Sequence, residues 1–482
     1  MVFDITVHYP CLEKQSWRGK LSRLAGVPVS ELTETAESIR NRVERIWRAV
    51  RENTGNPDVR VVEQETYHPV LKDVSLDVAA WLRTHPDEFP CMKAEPRAER
   101  RYPNGKLAAH VVGHTGHISP ERWKTLQENG RVWTPTMPER KVGSRYLHGE
   151  KAGVTGLEKA LEPVLRGERG YVEKQLIFRT LEVETKTTTT PPTPGLDVYL
   201  SFDSEVQQAA NEALSWADRQ RELDFDRGAL VALDVRTGDV LASATYPTFD
   251  LANYRKDFSR LAKARFNPLF YRPTQATLPP GSVFKIVTAT AALEAGDITA
   301  DTMFRCDGYR VYRGQEFGCA STWGHGNIGL IEAIQHSCNV YFYETGKRVG
   351  GKTLGAWAER FGLGKDSGIM LPNRNSGNVP SPGSLFGTLN LAIGQGDLMV
   401  TPLQVARMAA AIAADGRLMK VHFFHHARNA DGRIVQRVNP EGHSLGISSE
   451  TLDLVQRGMR KVVASGTAEG VGLDRFHAAG KT

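Results

Sequence analysis

Residues 278–296, Leu-Pro-Pro-Gly-Ser-Val-Phe-Lys-Ile-Val-Thr-Ala-Thr-Ala-Ala-Leu-Glu-Ala-Gly, constrain the fold more than any other stretch of the chain. Pro279, Pro280 and Gly281 stop whatever precedes them. The apolar, small-residue run from Val283 to Leu293 then reads as a buried helix that Gly296 ends. Ser282 falls at the N-terminus of that helix, with Lys285 one turn later on the same face. A hydroxyl beside an amine, at the positive end of a helix, is one way to make a nucleophile without histidine. Two positions alone leave open a plain N-cap at Ser282 and a solvated side chain at Lys285.

A chain of 482 residues is long enough for two or three domains with their own cores. Its formal charge of +6 is mildly basic, but no dense Lys/Arg run with interleaved aromatics occurs, so nucleic acid is not indicated as a partner. The five cysteines (Cys11, Cys91, Cys306, Cys319 and Cys338) cannot all pair, and none sits in a CxxC motif, so they leave the redox compartment undecided. No apolar run approaches the roughly 18 residues of a membrane span. Met1 does not lead into a signal peptide.

Taken in order, residues 1–95 read as a strand over Val2–Tyr9, a helix over Val29–Arg51 with Ser30 and Glu34 near its start, and strands at 59–62 and 70–76. His110, His114 and His117 follow; Gly113 and Gly116 argue against a helix that would align them, so a strand and turn with incidental histidines is expected, not a metal site. Residues 153–170 read as a short amphipathic helix between glycine turns. Lys186–Gly195 (KTTTTPPTPG) is the clearest break in composition and is expected to be a linker or long loop. It separates an N-terminal, non-catalytic domain (1–185) from a second domain (196–482). The second domain opens with a strand (196–203), a helix (204–223) and a hairpin over 228–244 that turns at Arg236–Gly238. Further on come a helix over 331–349 carrying Ser337-Cys338-Asn339, a turn at 394–396, a capping box at Thr401–Gln404 and a last helix over 448–465. Strands and helices with an antiparallel hairpin make this an α+β architecture, a sheet flanked by helices.

Three short elements line up in this second domain: Ser282-x-x-Lys285, Ser337-x-Asn339 and Lys481-Thr482. The SxxK pattern occurs once in the chain, whereas Lys-Thr pairs also occur at Lys186 and Lys352. The set matches the SxxK, SxN and KTG elements of penicillin-interactive serine enzymes. The likeness extends through the runs at 110–118, 153–167, 196–210, 228–250, 278–296, 324–326, 337–344 and 393–413, together about residues 105–482. The chain resembles class B penicillin-binding proteins, and among them the elongation-type branch.

That resemblance implies a transpeptidase domain behind an elongated N-terminal pedestal of dimerisation type. It implies a peptidoglycan D,D-transpeptidase with no cofactor and no catalytic metal. Ser282 is then the nucleophile, Lys285 its base and Ser337 the proton relay. Asn339 holds the substrate backbone, and Lys481 with Thr482 binds the terminal carboxylate. Implied partners are D-Ala-D-Ala stem peptides, β-lactams and a membrane glycosyltransferase of the elongation machinery, at the periplasmic face of the inner membrane. Two departures stand out: the anchor and the segment after it are missing, and the third motif stops at Thr482 without its glycine. The chain is therefore read as clipped at both ends, with one oxyanion donor absent and acylation by the 482-residue chain expected to be poor. The competing readings are a hydrolase (β-lactamase or carboxypeptidase) and a β-lactam sensor or scaffold. Cys306 and Cys319 flank an expected hairpin near His325; a disulfide or zinc site is open to them, but two unrelated thiols is the reading taken, with Cys338 a packed thiol.

Overall fold

The structure, a computed structural model, describes every residue except 1, 57, 98, 133–144, 148–149 and 180–181. Its contacts divide the chain into two compact units, Met1–Arg101 and Tyr102–Thr482.

In the first unit Val2–His8 is the centre of a three-stranded antiparallel sheet, flanked by Tyr67–Val74 and Met92–Arg97. As the central strand it is covered on both faces: Asp4 and Thr6 are buried as well as Ile5 and Val7. The helix Val29–Thr54 buries Leu32, Ala36, Ile39 and Val43, spaced by four, three and four, and ends on Gly55 in a left-handed conformation (φ 65°). Pro28, not Ser30, occupies its N-cap. The expected strand at 59–62 is absent: Val62–Gln64 forms a single 3-10 turn. Cys11 and Cys91 form a disulfide across 80 residues.

The second unit begins well before the boundary expected from composition. Val111, Leu157 and Leu161 share one core cluster with Leu403, Val421, Phe423 and Phe424, so residues from 102 onward fold with the sheet they pack against. The expected linker at 186–195 is corrected in its first half. Lys186–Thr190 belongs to the strand Glu182–Thr190, paired antiparallel with Tyr171–Arg179. β-branched threonines favour that pairing, and the irregular backbone begins only at Pro191. The expected helix over 153–170 is two short ones, Gly156–Ala160 and Glu162–Leu165, with Pro163 in the first turn of the second. The three histidines diverge: His110 lies on the short helix Ala109–Val112 and bonds the Pro268 carbonyl (2.7 Å), His114 meets Thr155 Oγ1 (2.9 Å), and His117 ends the strand Thr115–His117.

The expected hairpin forms between Gly228–Leu233 and Val240–Tyr246. The helix Ser204–Arg219, N-capped by Asp203, lays Ala210 and Leu214 onto Ala242 and Ala244. At the centre stands the helix Lys285–Glu294, in which every side chain from Lys285 through Ala292 is buried. Around it pack the helices Leu330–Gln335, Asn339–Val349 and Ser449–Ser465, within one apolar cluster. Gly458 permits a close approach; a Cβ there would sit 2.8 Å from Ile334 Cδ1. Among the described residues no helix is long and apolar enough to cross a membrane.

Candidate active site

Ser282 sits on a 3-10 turn, Gly281–Phe284, that runs directly into the buried helix beginning at Lys285. The corner is fixed from the other side by the turn at Gly394–Gly396. Gly281 N–H donates to the Gly394 carbonyl (2.9 Å), and Thr288 Oγ1 donates to the Ala392 carbonyl (2.8 Å). Gly394 has a left-handed φ of 73°, and a Cβ on it would lie 2.1 Å from the Gly281 carbonyl oxygen. Only glycine fits there. As expected, the helix is closed by Gly296, left-handed at φ 73°.

The second motif is not on a continuous helix as its periodicity predicts. The helix breaks between Gln335 and Asn339, and Ser337 takes a left-handed conformation (φ 54°). Cys338 becomes the N-cap of the next helix, its sulfur accepting from Tyr341 N–H (3.5 Å). In an unbroken helix that N–H would bond the Ser337 carbonyl. The break frees this carbonyl, which instead accepts from Lys285 Nζ at 2.7 Å. Gln335 pins the turn from behind by donating to the Ser465 carbonyl (2.8 Å) at the end of the last helix.

Lys285 is fully buried and donates to the Ser337 carbonyl, Ser337 Oγ (3.1 Å) and Asn339 Oδ1 (2.6 Å). Lys481 Nζ donates to the same Ser337 Oγ (2.9 Å) and to the Thr482 carbonyl (2.7 Å). The Asn339 amide donates to the Gly318 carbonyl (3.2 Å), and Thr482 Oγ1 meets Thr467 Oγ1 at 2.6 Å. Lys285, Ser337, Asn339 and Lys481 are thus joined in one hydrogen-bonded network, and Ser282 stands at the corner that leads into it. Burial, reinforced by the Lys481 ammonium, brings the Lys285 amine down to about 7, while the Cys319 and Cys338 sulfurs pull the other way. Burial also lowers Lys481, to about 8. A buried lysine that loses its proton near neutrality, bonded to the Ser337 hydroxyl and one helical turn after Ser282, has the chemistry of a general base.

Residues 228–482 match the family model of the penicillin-binding protein transpeptidase domain, and residues 2–200 that of the penicillin-binding protein dimerisation domain.

The chain belongs to the class B penicillin-binding proteins.

Its curated relatives include peptidoglycan D,D-transpeptidase MrdA of Acinetobacter baumannii, 29% identical over 82% of this chain and 58% of the relative. MrdA of Escherichia coli K12 is 30% identical over 79% of the chain and 60% of the relative. The chain therefore spans less than two thirds of the length of these relatives. Among solved structures, penicillin-binding protein PBP2 of Helicobacter pylori, in its complex with MreC, superposes with a TM-score of 0.72. At 24% identity, covering 96% of this chain and 80% of that one, it supports the fold. The dimerisation model ends near residue 200, close to the boundary read from composition, whereas packing divides the chain at Arg101/Tyr102.

Beside the second motif of this penicillin-binding protein lies a group of which the sequence showed three members. Cys306, Cys319, His325 and Cys338 bring one donor atom each to within 4.8 Å of one another. Cys306 and Cys319 sulfurs lie 3.5 and 3.6 Å from His325 Nδ1, and Cys319 lies 3.9 Å from Cys338. The reading of unrelated thiols is corrected, because the short pair Phe304–Cys306 with Gly326–Ile328 folds the loop back and carries His325 to Cys306. Three soft sulfurs and one imidazole are the donor number and type that suit a tetrahedral zinc-like ion. The contact between Cys319 and Cys338 lowers the Cys319 thiol and raises that of Cys338, whose burial adds to the rise. The fourth member, Cys338, was hidden inside a motif read for its neighbours.

Proposed function

We propose that the protein is a serine-type peptidoglycan D,D-transpeptidase acting in cell-wall elongation. The observation that carries this reading is the buried Lys285 amine, held by Ser337 and Asn339 and brought to about 7. A lysine at its ordinary value of about 10.4 is a poor proton acceptor at neutral pH; this one is matched to the task.

Ser282 Oγ attacks the penultimate D-Ala carbonyl of a stem peptide, and its proton passes to the neutral Lys285 amine. The Ser282 N–H, at the start of the helical corner, is one oxyanion donor. Ser337 Oγ, already bonded to both lysines, relays a proton to the departing D-Ala amine. The acyl group remains on Ser282 until an amine of a second stem peptide takes it, forming the cross-link and restoring the serine. Asn339 orients the substrate backbone, and the Lys481 ammonium with Thr482 receives the terminal carboxylate. A β-lactam presents the same carboxylate and carbonyl and acylates the same serine.

The protein's proposed setting is the periplasmic face of the cytoplasmic membrane, beside a membrane glycosyltransferase that makes the glycan strands. A neighbour 27% identical, from a structure of a peptidoglycan synthase complex that coordinates polymerisation and cross-linking, supports this placement.

The test is incubation of the intact protein with a fluorescent penicillin, followed by peptide mapping. A stable adduct on the peptide carrying Ser282, absent from Ser282→Ala, is expected. Rapid turnover of the adduct would instead make the protein a hydrolase, and an adduct elsewhere would remove Ser282 from its role.

A further inference from the structure

We propose that the cavity beside His110 is a second, non-catalytic binding site, which takes the carboxylate end of an acylated peptide. The choice of a stem-peptide end as that ligand rests on the proposed function; the chemistry of the cavity does not.

The cavity measures about 150 Å³. On one side are the short helix Ala109–Val112 and the turn at 154–159; on the other are residues from the stretch 249–275 and the loop at 371–373. None of the motif residues lines it, and its wall ends at Gln275, on the segment that leads to Ser282. Phe249, Leu269, Tyr271 and Leu371 make the walls largely apolar, with a few polar groups converging among them. Pockets that hold small ligands have this composition.

Those polar groups keep unused bonding capacity. His110 Nε2 bonds the Pro268 carbonyl (2.7 Å), and a carbonyl only accepts, so Nε2 carries the hydrogen. Burial, reinforced by Arg272 and opposed by the Pro268 bond, brings the ring down to about 4. The imidazole is therefore neutral and its Nδ1 is an acceptor, which no group among the described residues bonds. Gln275 uses its amide oxygen on the Tyr271 N–H (3.0 Å), which leaves its NH₂ free to donate. Lys159 stands exposed at the rim, without a carboxylate partner among the described residues. No Asp or Glu is among the described residues that line the cavity. Arg255 acts on His114, and Arg272 on His110, so the surrounding field is positive.

Together these groups select a ligand. An acceptor at His110 takes an N–H and the Gln275 NH₂ takes a carbonyl oxygen, the two ends of a secondary amide. The Lys159 ammonium takes an anion through a charge-assisted bond. A cavity of about 150 Å³ holds roughly a six-carbon ring, so one terminal residue with its amide fits and a whole stem peptide does not. An N-acyl amino acid with a free carboxylate meets all of these demands, and the D-Ala end of a stem peptide is such a group.

The experiment is calorimetric titration of the intact protein, after penicillin acylation has closed the cleft at Ser282, with N-acetyl-D-Ala-D-Ala and with its C-terminal amide. One site for the free acid at millimolar concentration is expected. Lys159→Met should weaken it about tenfold, the size of one lost charge-assisted bond. The amide should bind the parent about tenfold more weakly than the acid does, and bind the variant as well as the acid does. No binding to the acylated protein overturns the proposal, and so does binding that ignores both Lys159→Met and loss of the carboxylate. A protein that penicillin fails to acylate would count against the proposed function; the same four titrations on the unacylated protein would still decide the site.

Discussion

Lys285 owes its chemistry to three things that meet on one amine: complete burial, the nearby Lys481 ammonium, and acceptors supplied by a broken helix. The first two disfavour its charge and the third keeps it in place. Lys481→Met should therefore do two things. It should weaken substrate binding, and it should raise the Lys285 value, moving the acid limb of acylation to higher pH; pH profiles of the variant and parent check this. A limb that stays put would show that Lys481 does not act on Lys285. The corner carrying Ser282 and Lys285 was legible because a Pro-Pro-Gly stop precedes an apolar, small-residue run. Ser337's left-handed backbone was not, since the apolar periodicity of 331–349 runs on through it. The partner of its freed carbonyl, the Lys285 amine, lies 52 residues away in sequence.

At the scale of elements, the site depends on helices and turns packed closer than most side chains allow. The Gly394 turn touches the Gly281 carbonyl, and Gly458 lets Ile334 settle on the last helix. Gly394→Ala places a methyl group against a backbone oxygen in a left-handed conformation. It is expected to lower stability by about 2 kcal/mol or more and to slow acylation; thermal melts and penicillin labelling measure the two. The Gly228–Tyr246 hairpin, the Thr401 capping box and the helix over 449–465 were readable because local chemistry specifies each of them. Lys186–Thr190 reads as loop because prolines at 191, 192 and 194 follow it directly, yet its β-branched threonines pair with Tyr171–Gln175 of the preceding strand.

Across the whole molecule, the two units carry separate cores, one made of residues up to Ala94 and the other centred on the buried helix after Ser282. The Cys11–Cys91 bridge closes a long loop within the first unit only. Replacing both cysteines with serine is expected to destabilise that unit by about 2–4 kcal/mol while leaving penicillin acylation unchanged, which calorimetry and labelling together would show. Composition places a domain boundary at the Thr/Pro run, near where the dimerisation model ends, whereas packing divides the chain at Arg101, because Val111 and Leu157 find their core among Val421, Phe423 and Phe424. No local signal carries that information. The central claim is that this fold delivers a neutral Lys285 amine to Ser282 near neutral pH. The most direct measurement is the second-order rate of penicillin acylation against pH in the intact protein. The rate should rise as Lys285 loses its proton through about 7 and fall again as Lys481 loses its charge through about 8, leaving a narrow bell. A rate that keeps climbing toward pH 10, or that ignores pH across this range, would contradict the account.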